Sequence, residues 1–272
     1  MKLAVGGRQA YAYTAGRTLD AKLLSVVFIH GAANDHSAFL LQSRYFPYHG
    51  CNALAVDLPG HGRSEGAPLT TIGAMADWLA SFMDAAGIRS AALVGHSMGS
   101  LVTLECAARH PARARALALI GTSAPMPVGD VLLGAAREYS HAALDMLNIW
   151  GHSATAQLGG NTVPGMWMTG GYVRLLERAR PQVLHVDLKA CHDYADGRAS
   201  AAKVRCPALF VLGSRDMMTP PRNATDLRAA IPDARTVMLD GAGHALMAEC
   251  PDAVLDALIG FVDAPTSGRT TH

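Results

Sequence analysis

The 272-residue sequence lacks several features, and each absence excludes a class of protein. No apolar run approaches the ~20 residues that a membrane-spanning helix needs. The start, MKLAVGGRQAYAYTAGRTLD, has one early Lys but no apolar stretch of signal-peptide length. Charge imbalance is also missing. Lys and Arg total 23 against 22 Asp and Glu, a formal net charge of +1, so there is no basic field for nucleic acid. Five cysteines (Cys51, Cys106, Cys191, Cys206, Cys250) lie far apart, with no Cys-x-x-Cys or Cys/His metal spacing. Such an odd, scattered set fits buried thiols in a reducing compartment better than a disulfide framework. No internal repeat or low-complexity tract is present. The expectation is a cytoplasmic protein that acts on a small molecule, with no metal, no cofactor, and neither nucleic acid nor membrane as partner.

Apolar residues are plentiful, at 50% of the chain, enough for a sizeable core and too many for a disordered one. They come in short runs: 25–30 (SVVFIH), 53–56 (ALAV), 91–94 (AALV), 115–120 (RALALI), 208–212 (ALFVL) and 236–239 (TVML). Runs of this length bounded by Gly, Pro or Asp suit central strands of a parallel sheet covered on both faces. Helical patterns alternate with them. Over 71–86, Ile72, Met75, Leu79, Phe82 and Met83 share one face, Thr70 or Thr71 can cap the start, and Gly87 ends it. Residues 98–110, 220–231 and 251–262 read as further helices. Strand–helix alternation with short loops predicts an α/β fold with right-handed crossovers.

The alternation breaks between about 124 and 205. Residues 128–150 read as one helix with Val131, Leu132, Ala135, Tyr139, Ala143, Leu144 and Leu147 on an apolar stripe. Residues 151–171 are Gly-rich and irregular, and helical character resumes over 172–180 and 182–194. The predicted organisation is a core of 1–124 and 206–263, a helical cap of 125–205 and a flexible tail of 264–272, with edge strands in the first ~20 residues.

Gly95-His96-Ser97-Met98-Gly99 directly follows one strand pattern and directly precedes a helix pattern. A serine there sits on a strained strand-to-helix turn with its hydroxyl projecting from the sheet edge. The flanking glycines answer close backbone approach, and the following helix points free N–H groups at a developing oxyanion. The superficially similar Gly151-His152-Ser153-Ala154-Thr155 lacks the second glycine and follows no strand. A serine hydroxyl needs a base and an orienting carboxylate. His244 lies in a loop between the last strand and the last helix. Asp216 directly follows the strand ALFVL. The chain order Ser97, Asp216, His244 is that of α/β-hydrolase triads. Gly121-Thr-Ser-Ala-Pro125, a rival site for the acid, holds no carboxylate. Asp57 opens a Pro-Gly turn and reads as structural. Asp187, Asp193 and Asp196 lie in the insertion, away from the sheet edge. After the strand SVVFIH, the turn at His30-Gly31-Ala32 can aim a backbone N–H at a reacting carbonyl. Ala32 N–H and Met98 N–H are the candidate oxyanion hole, and His30 reads as a structural hydrogen-bonder.

These residues together resemble the α/β-hydrolase superfamily, in particular its small capped esterase-like and carbon–carbon-bond hydrolases, over roughly residues 20–263. The blocks that carry the resemblance are His30-Gly31, Asp57-Leu-Pro-Gly-His-Gly-Arg-Ser64, Gly95-His-Ser-Met-Gly99, Gly213-Ser-Arg-Asp216 with Thr219-Pro220, and Gly243-His244 with Glu249 and Pro251. The resemblance implies an eight-stranded, mostly parallel sheet with a helical cap after the sixth strand. Departures narrow the group. Ser97 stands where dehalogenase-like relatives have Asp, Ser100 where many relatives have a second Gly, and Ala245 where ring-cleavage-product hydrolases often have Trp. In haloperoxidase-like relatives an aromatic often follows His-Gly, where this chain has Ala32.

The expected activity is a serine hydrolase cleaving a small-to-medium apolar carboxylic ester through an acyl-enzyme. Carbon–carbon bond hydrolysis, perhydrolysis and acyl transfer on the same triad are alternatives, as is a non-catalytic small-molecule receptor on the same fold. Met126, Met146, Trp150, Met166, Trp167 and Met168 are the candidate substrate-binding residues, as an adaptable apolar pocket lining.

Overall fold

The computed structural model describes residues 1–160 and 165–262; the expected tail, 264–272, lies outside them. Eight strands form one sheet in the order β1-β2-β4-β3-β5-β6-β7-β8. They are β1 (Lys2–Val5), β2 (Arg8–Tyr13), β3 (Leu24–Ile29), β4 (Cys51–Asp57), β5 (Ala91–His96), β6 (Ala114–Ile120), β7 (Ala208–Gly213) and β8 (Ala234–Leu239). The β1–β2 and β2–β4 pairs are antiparallel, and every pair from β4 to β8 is parallel. The central strands are buried on both faces, so alternate residues feed two cores. Val27 and Ile29 of β3 enter the core that also holds Ile72, Met75, Leu101 and Leu227. Val26 and Phe28 enter the opposite one, with Phe39, Phe46, Val254 and Leu258.

The helices that cover the sheet have local causes. Thr71 accepts Ala74 N–H at 3.1 Å and caps Ile72–Ala85, and Gly87 (φ +70°) turns the chain away beyond its end. Pro251 opens Pro251–Val262, where the missing N–H costs nothing.

Between β6 and β7 the chain leaves the sheet. It forms helices Asp130–Arg137, His141–Gly151, Ala154–Gln157, Met168–Glu177, Val183–Asp193 and Gly197–Ala201. The single helix expected over 128–150 is two. Tyr139 adopts a left-handed φ of +54°, and Ser140 caps the second helix through Ala142 N–H. Val131 and Tyr139, expected on the apolar stripe, are 75% and 55% exposed, because the break rotates the two segments to different neighbours. Leu132, Ala136, Ala143, Leu147, Leu176, Leu184 and Leu188 form the insertion's own apolar cluster, and Ala33 of the sheet domain packs into it. Among the described residues no helix is long and apolar enough to cross a membrane.

Candidate active site

Parallel strands gather their following loops at one edge, and that edge of β3, β5, β7 and β8 carries the candidate residues. Ser97 follows β5 and stands at φ +53°, ψ −120°, a conformation an L-residue holds only under tertiary constraint. Its N–H donates to Ile120 C=O at 3.0 Å. A Cβ at Gly95 would overlap the Gly99 carbonyl, and one at Gly99 would overlap that of Ile29. Neither position tolerates a side chain. Ser100, a departure from the Gly-Gly pattern, braces the turn. Its hydroxyl donates to Ser97 C=O at 2.5 Å and meets Thr122 Oγ1 at 2.8 Å.

Asp216 and His244 come together at 2.8 Å, Oδ2 to Nδ1. Asp216 Oδ1 accepts the N–H groups of Met218 (2.9 Å) and Thr219 (2.8 Å), and Oδ2 also accepts the Thr219 hydroxyl at 2.7 Å. Burial pushes the Asp216 pKa up, but His244 and these donors outweigh it and hold the carboxyl below its ordinary value. The His244 loop is tied on both sides: Glu249 accepts Gly243 N–H at 3.0 Å, and Ala245 N–H donates to Gly151 C=O at 2.8 Å. Gly121, next to the residue that binds Ser97 N–H, lies where a Cβ would come within 3.2 Å of the His244 ring. His96 packs its ring 4.7 Å from that of His244 and donates Nε2–H to the His244 carbonyl at 2.9 Å. Burial lowers the His96 pKa to about 3, so this neighbour stays neutral.

The turn after β3 is closed by Asn34 N–H to Gly31 C=O at 3.2 Å, with Ala33 at φ +54°. Ala33 N–H is committed to Asp187 at 2.8 Å, and Ala32, the residue before it, lines a cavity together with Ser97. His30 is a hydrogen-bonder: its Nδ1 donates to Gly31 C=O and its Nε2 accepts Leu58 N–H. Asp57 is occupied by His36 and Arg63 N–H. Ser153, in the look-alike pentapeptide, caps Ala154–Gln157.

Two cavities reach these residues. One of about 320 Å³ is lined by Ser97, Ala32, Met126, Trp150, Leu188 and Thr219. The other, about 360 Å³, is lined by His96, His244, Tyr172, Met166, Trp167 and Met168. Of the six candidate lining residues, Met146 borders neither; it is partly buried and packs on the insertion's apolar cluster instead. Leu188 and Tyr172 border the cavities and escaped the sequence, since their helical patterns do not say which face meets the sheet.

A model of the alpha/beta hydrolase family matches residues 26–257. The chain belongs to that family. The hydrolase is 33% identical over 242 residues to the pimeloyl-acyl-carrier-protein methyl ester esterase of Chromobacterium violaceum, covering 85% of this chain and 89% of that protein. It is 32% identical to the enzyme so named from Neisseria meningitidis serogroup A, over 79% of this chain and 70% of that one. Among solved structures, the enol-lactonase of Burkholderia xenovorans LB400 superposes on the hydrolase with a TM-score of 0.85 at 25% identity, covering 97% and 100% of the two chains.

Proposed function

We propose that Ser97, His244 and Asp216 are a nucleophile–base–acid triad, with Ala32 and Met98 N–H as the oxyanion hole, acting on small-to-medium apolar carboxylic esters. The observation that carries this is the 2.8 Å Asp216–His244 hydrogen bond beside a serine on a strained strand-to-helix turn. His244 takes the Ser97 proton as Oγ bonds to the ester carbonyl carbon. The two N–H groups stabilise the resulting oxyanion. The C–O bond to the alcohol then breaks, and His244 gives its proton to the leaving oxygen. Water repeats the sequence, breaks the Ser97 ester and releases the carboxylic acid. Asp216 accepts Nδ1–H, which holds the tautomer with Nε2 free and stabilises the imidazolium.

The proton's destination orients the substrate. The leaving oxygen must face His244, so the alcohol part lies in the His96–His244 cavity. The acyl carbon is bonded to Ser97, so the acyl chain lies in the Ala32–Ser97–Met126 cavity. Residues 125–205 are then a cap over the core of 1–124 and 206–263. The esterase names of relatives at 32% and 33% identity support ester chemistry. None of the five cysteines is in a disulfide, which suits a reducing compartment such as the cytoplasm.

The test is turnover of 4-nitrophenyl esters of increasing acyl length, with Ser97→Ala in parallel. The expected result is a clear optimum in chain length and a loss of about 10⁴-fold or more in the variant. Turnover that persists in Ser97→Ala removes the serine mechanism. No turnover by the wild type, with Ser97 still labelled by a fluorophosphonate, removes simple esters as substrates and turns attention to other acyl chemistry.

A further inference from the structure

Asp187 sits on the helix Val183–Asp193 of the insertion and is fully buried. One carboxylate oxygen does two things. Oδ2 accepts Ala33 N–H at 2.8 Å and stands 2.8 Å from His61 Nε2. The His61 Nδ1 faces Pro59 C=O at 3.0 Å, so both ring nitrogens meet acceptors and the ring is held as imidazolium. Burial lowers the His61 pKa, but the Asp187 charge and hydrogen bond overcome this and raise it. The second oxygen of Asp187, Oδ1, is buried with no hydrogen-bond partner.

Stability alone does not call for this arrangement. A buried ion pair of this kind is often matched or bettered by an apolar pair of similar volume, and a carboxylate oxygen without a partner makes it costlier still. What an apolar pair does not supply is an acceptor for Ala33 N–H. Ala33 is a non-glycine residue in the left-handed region, at the turn position where φ must be positive. The peptide between Ala32 and Ala33 therefore has a strained orientation, and the one side-chain hydrogen bond to its N–H comes from Asp187, 154 positions along the chain.

We propose that Asp187 is the positioning residue of the oxyanion turn: by accepting Ala33 N–H it fixes the Ala32–Ala33 peptide and so the direction in which Ala32 N–H meets the substrate oxygen. Asp187 has this role only if Ser97 acts on a carbonyl as proposed above. The consequence is that the insertion does more than line a pocket. Its docking completes the oxyanion hole, because the acceptor travels with the helix Val183–Asp193. Leu188, the next residue, borders the Ser97 cavity, so substrate seated there presses on the same helix.

The experiment compares the full-length wild type with Asp187→Asn and with the double variant His61→Leu/Asp187→Leu. Asparagine keeps an oxygen acceptor. The double variant replaces the ion pair with apolar bulk and leaves Ala33 N–H without a partner. Readouts are Tm, kcat and KM on the 4-nitrophenyl esters, and the affinity of an alkylboronic acid, whose adduct on Ser97 places an oxygen in the oxyanion hole. The double variant is expected to keep its Tm within a few degrees and its KM within about threefold. Its kcat falls about 30- to 100-fold, as for a displaced oxyanion donor, with boronate affinity falling in step. Asp187→Asn restores most of kcat. A folded double variant with wild-type kcat overturns the proposal. So does an Asp187→Asn variant that folds but loses about 30-fold or more in kcat, and this arm stands even if the double variant does not fold. Wild-type protein that hydrolyses no ester but is labelled at Ser97 sinks the ester reading alone, and the labelling rates of the three proteins then carry the same comparison.

Discussion

The Thr219 hydroxyl donates to Asp216 Oδ2 at 2.7 Å and stands 3.1 Å from His244 Nδ1. It therefore touches the acid and the base at the atoms through which they bind each other. Thr219→Val keeps the shape and removes the donor. Losing a hydrogen bond to a charged group costs about 1.5–3 kcal/mol, here spread between folding and the orientation of His244. The expected outcome is a roughly 10-fold drop in kcat with KM nearly unchanged. Steady-state kinetics on one ester decide it, and an unchanged kcat means that the two backbone N–H groups hold Asp216 unaided.

Gly99 and Gly73 make a matched pair. Both lie in the first turn of a helix, but a Cβ at Gly99 would overlap the Ile29 carbonyl, and one at Gly73 meets nothing within 4 Å. Gly99→Ala must push the elbow away from β3. It is expected to cost about 1–3 kcal/mol and most of the activity. Gly73→Ala is expected to gain about 0.5–1 kcal/mol and leave activity alone. Urea unfolding of both variants checks the contrast, which equal effects would erase.

The two cavities predict separable specificities. Met126→Trp narrows the one at Ser97, and Met166→Trp narrows the one at His244. The first is expected to shorten the preferred acyl chain by a few carbons with little change in alcohol preference, and the second to do the reverse. A two-way ester panel, acyl length against alcohol length, reads this directly. An exchange of the two effects would reverse the assigned substrate orientation.

Buried histidines set the pH range of stability. Burial, with help from His61 in one case and His244 in the other, lowers His30 to about 4 and His96 to about 3. The unfolded chain takes up these protons from about pH 6.5, where a free histidine titrates. Between pH 6.5 and 4 the unfolded state binds more protons, so stability falls with acid, by up to about 1.4 kcal/mol per pH unit for each histidine. His61 has the opposite sign. Facing Asp187, Asp57 and the neutral His30, its folded pKa is raised, so its contribution is complete below about pH 6.5 and is lost as pH rises through the folded value. Asp216, held low, adds its own loss only under stronger acid. Burial lowers His152 as well, so the expected optimum is near neutral pH, with an acid limb that is shallower, but not abolished, in His96→Gln. Denaturant unfolding from pH 4 to 9 measures it, and a flat acid limb would mean that these rings open to water.

Much of this protein can be read along the chain. Ser97, Asp216 and His244 each directly follow a strand pattern or its short loop, and in a parallel sheet such positions share one edge whatever the rest of the chain does. The glycines beside Ser97 carry their own reason, since only a missing Cβ permits the close approach of β5, β3 and the following helix. Strands buried on both faces announce themselves as continuous apolar runs, and so the α/β-hydrolase fold was within reach of the sequence. Tertiary structure decided the rest. Tyr139 breaks a periodic stripe because its left-handed turn suits the packing of two helices, which periodicity does not encode. Met146 turns inward and Leu188 reaches the cavity because an amphipathic pattern marks a buried face without naming what buries it. Asp187 is remote from the sheet edge when distance is counted in residues. It meets Ala33 and His61 only once the insertion folds back over the sheet, where burial turns an ordinary helical aspartate into a specific acceptor.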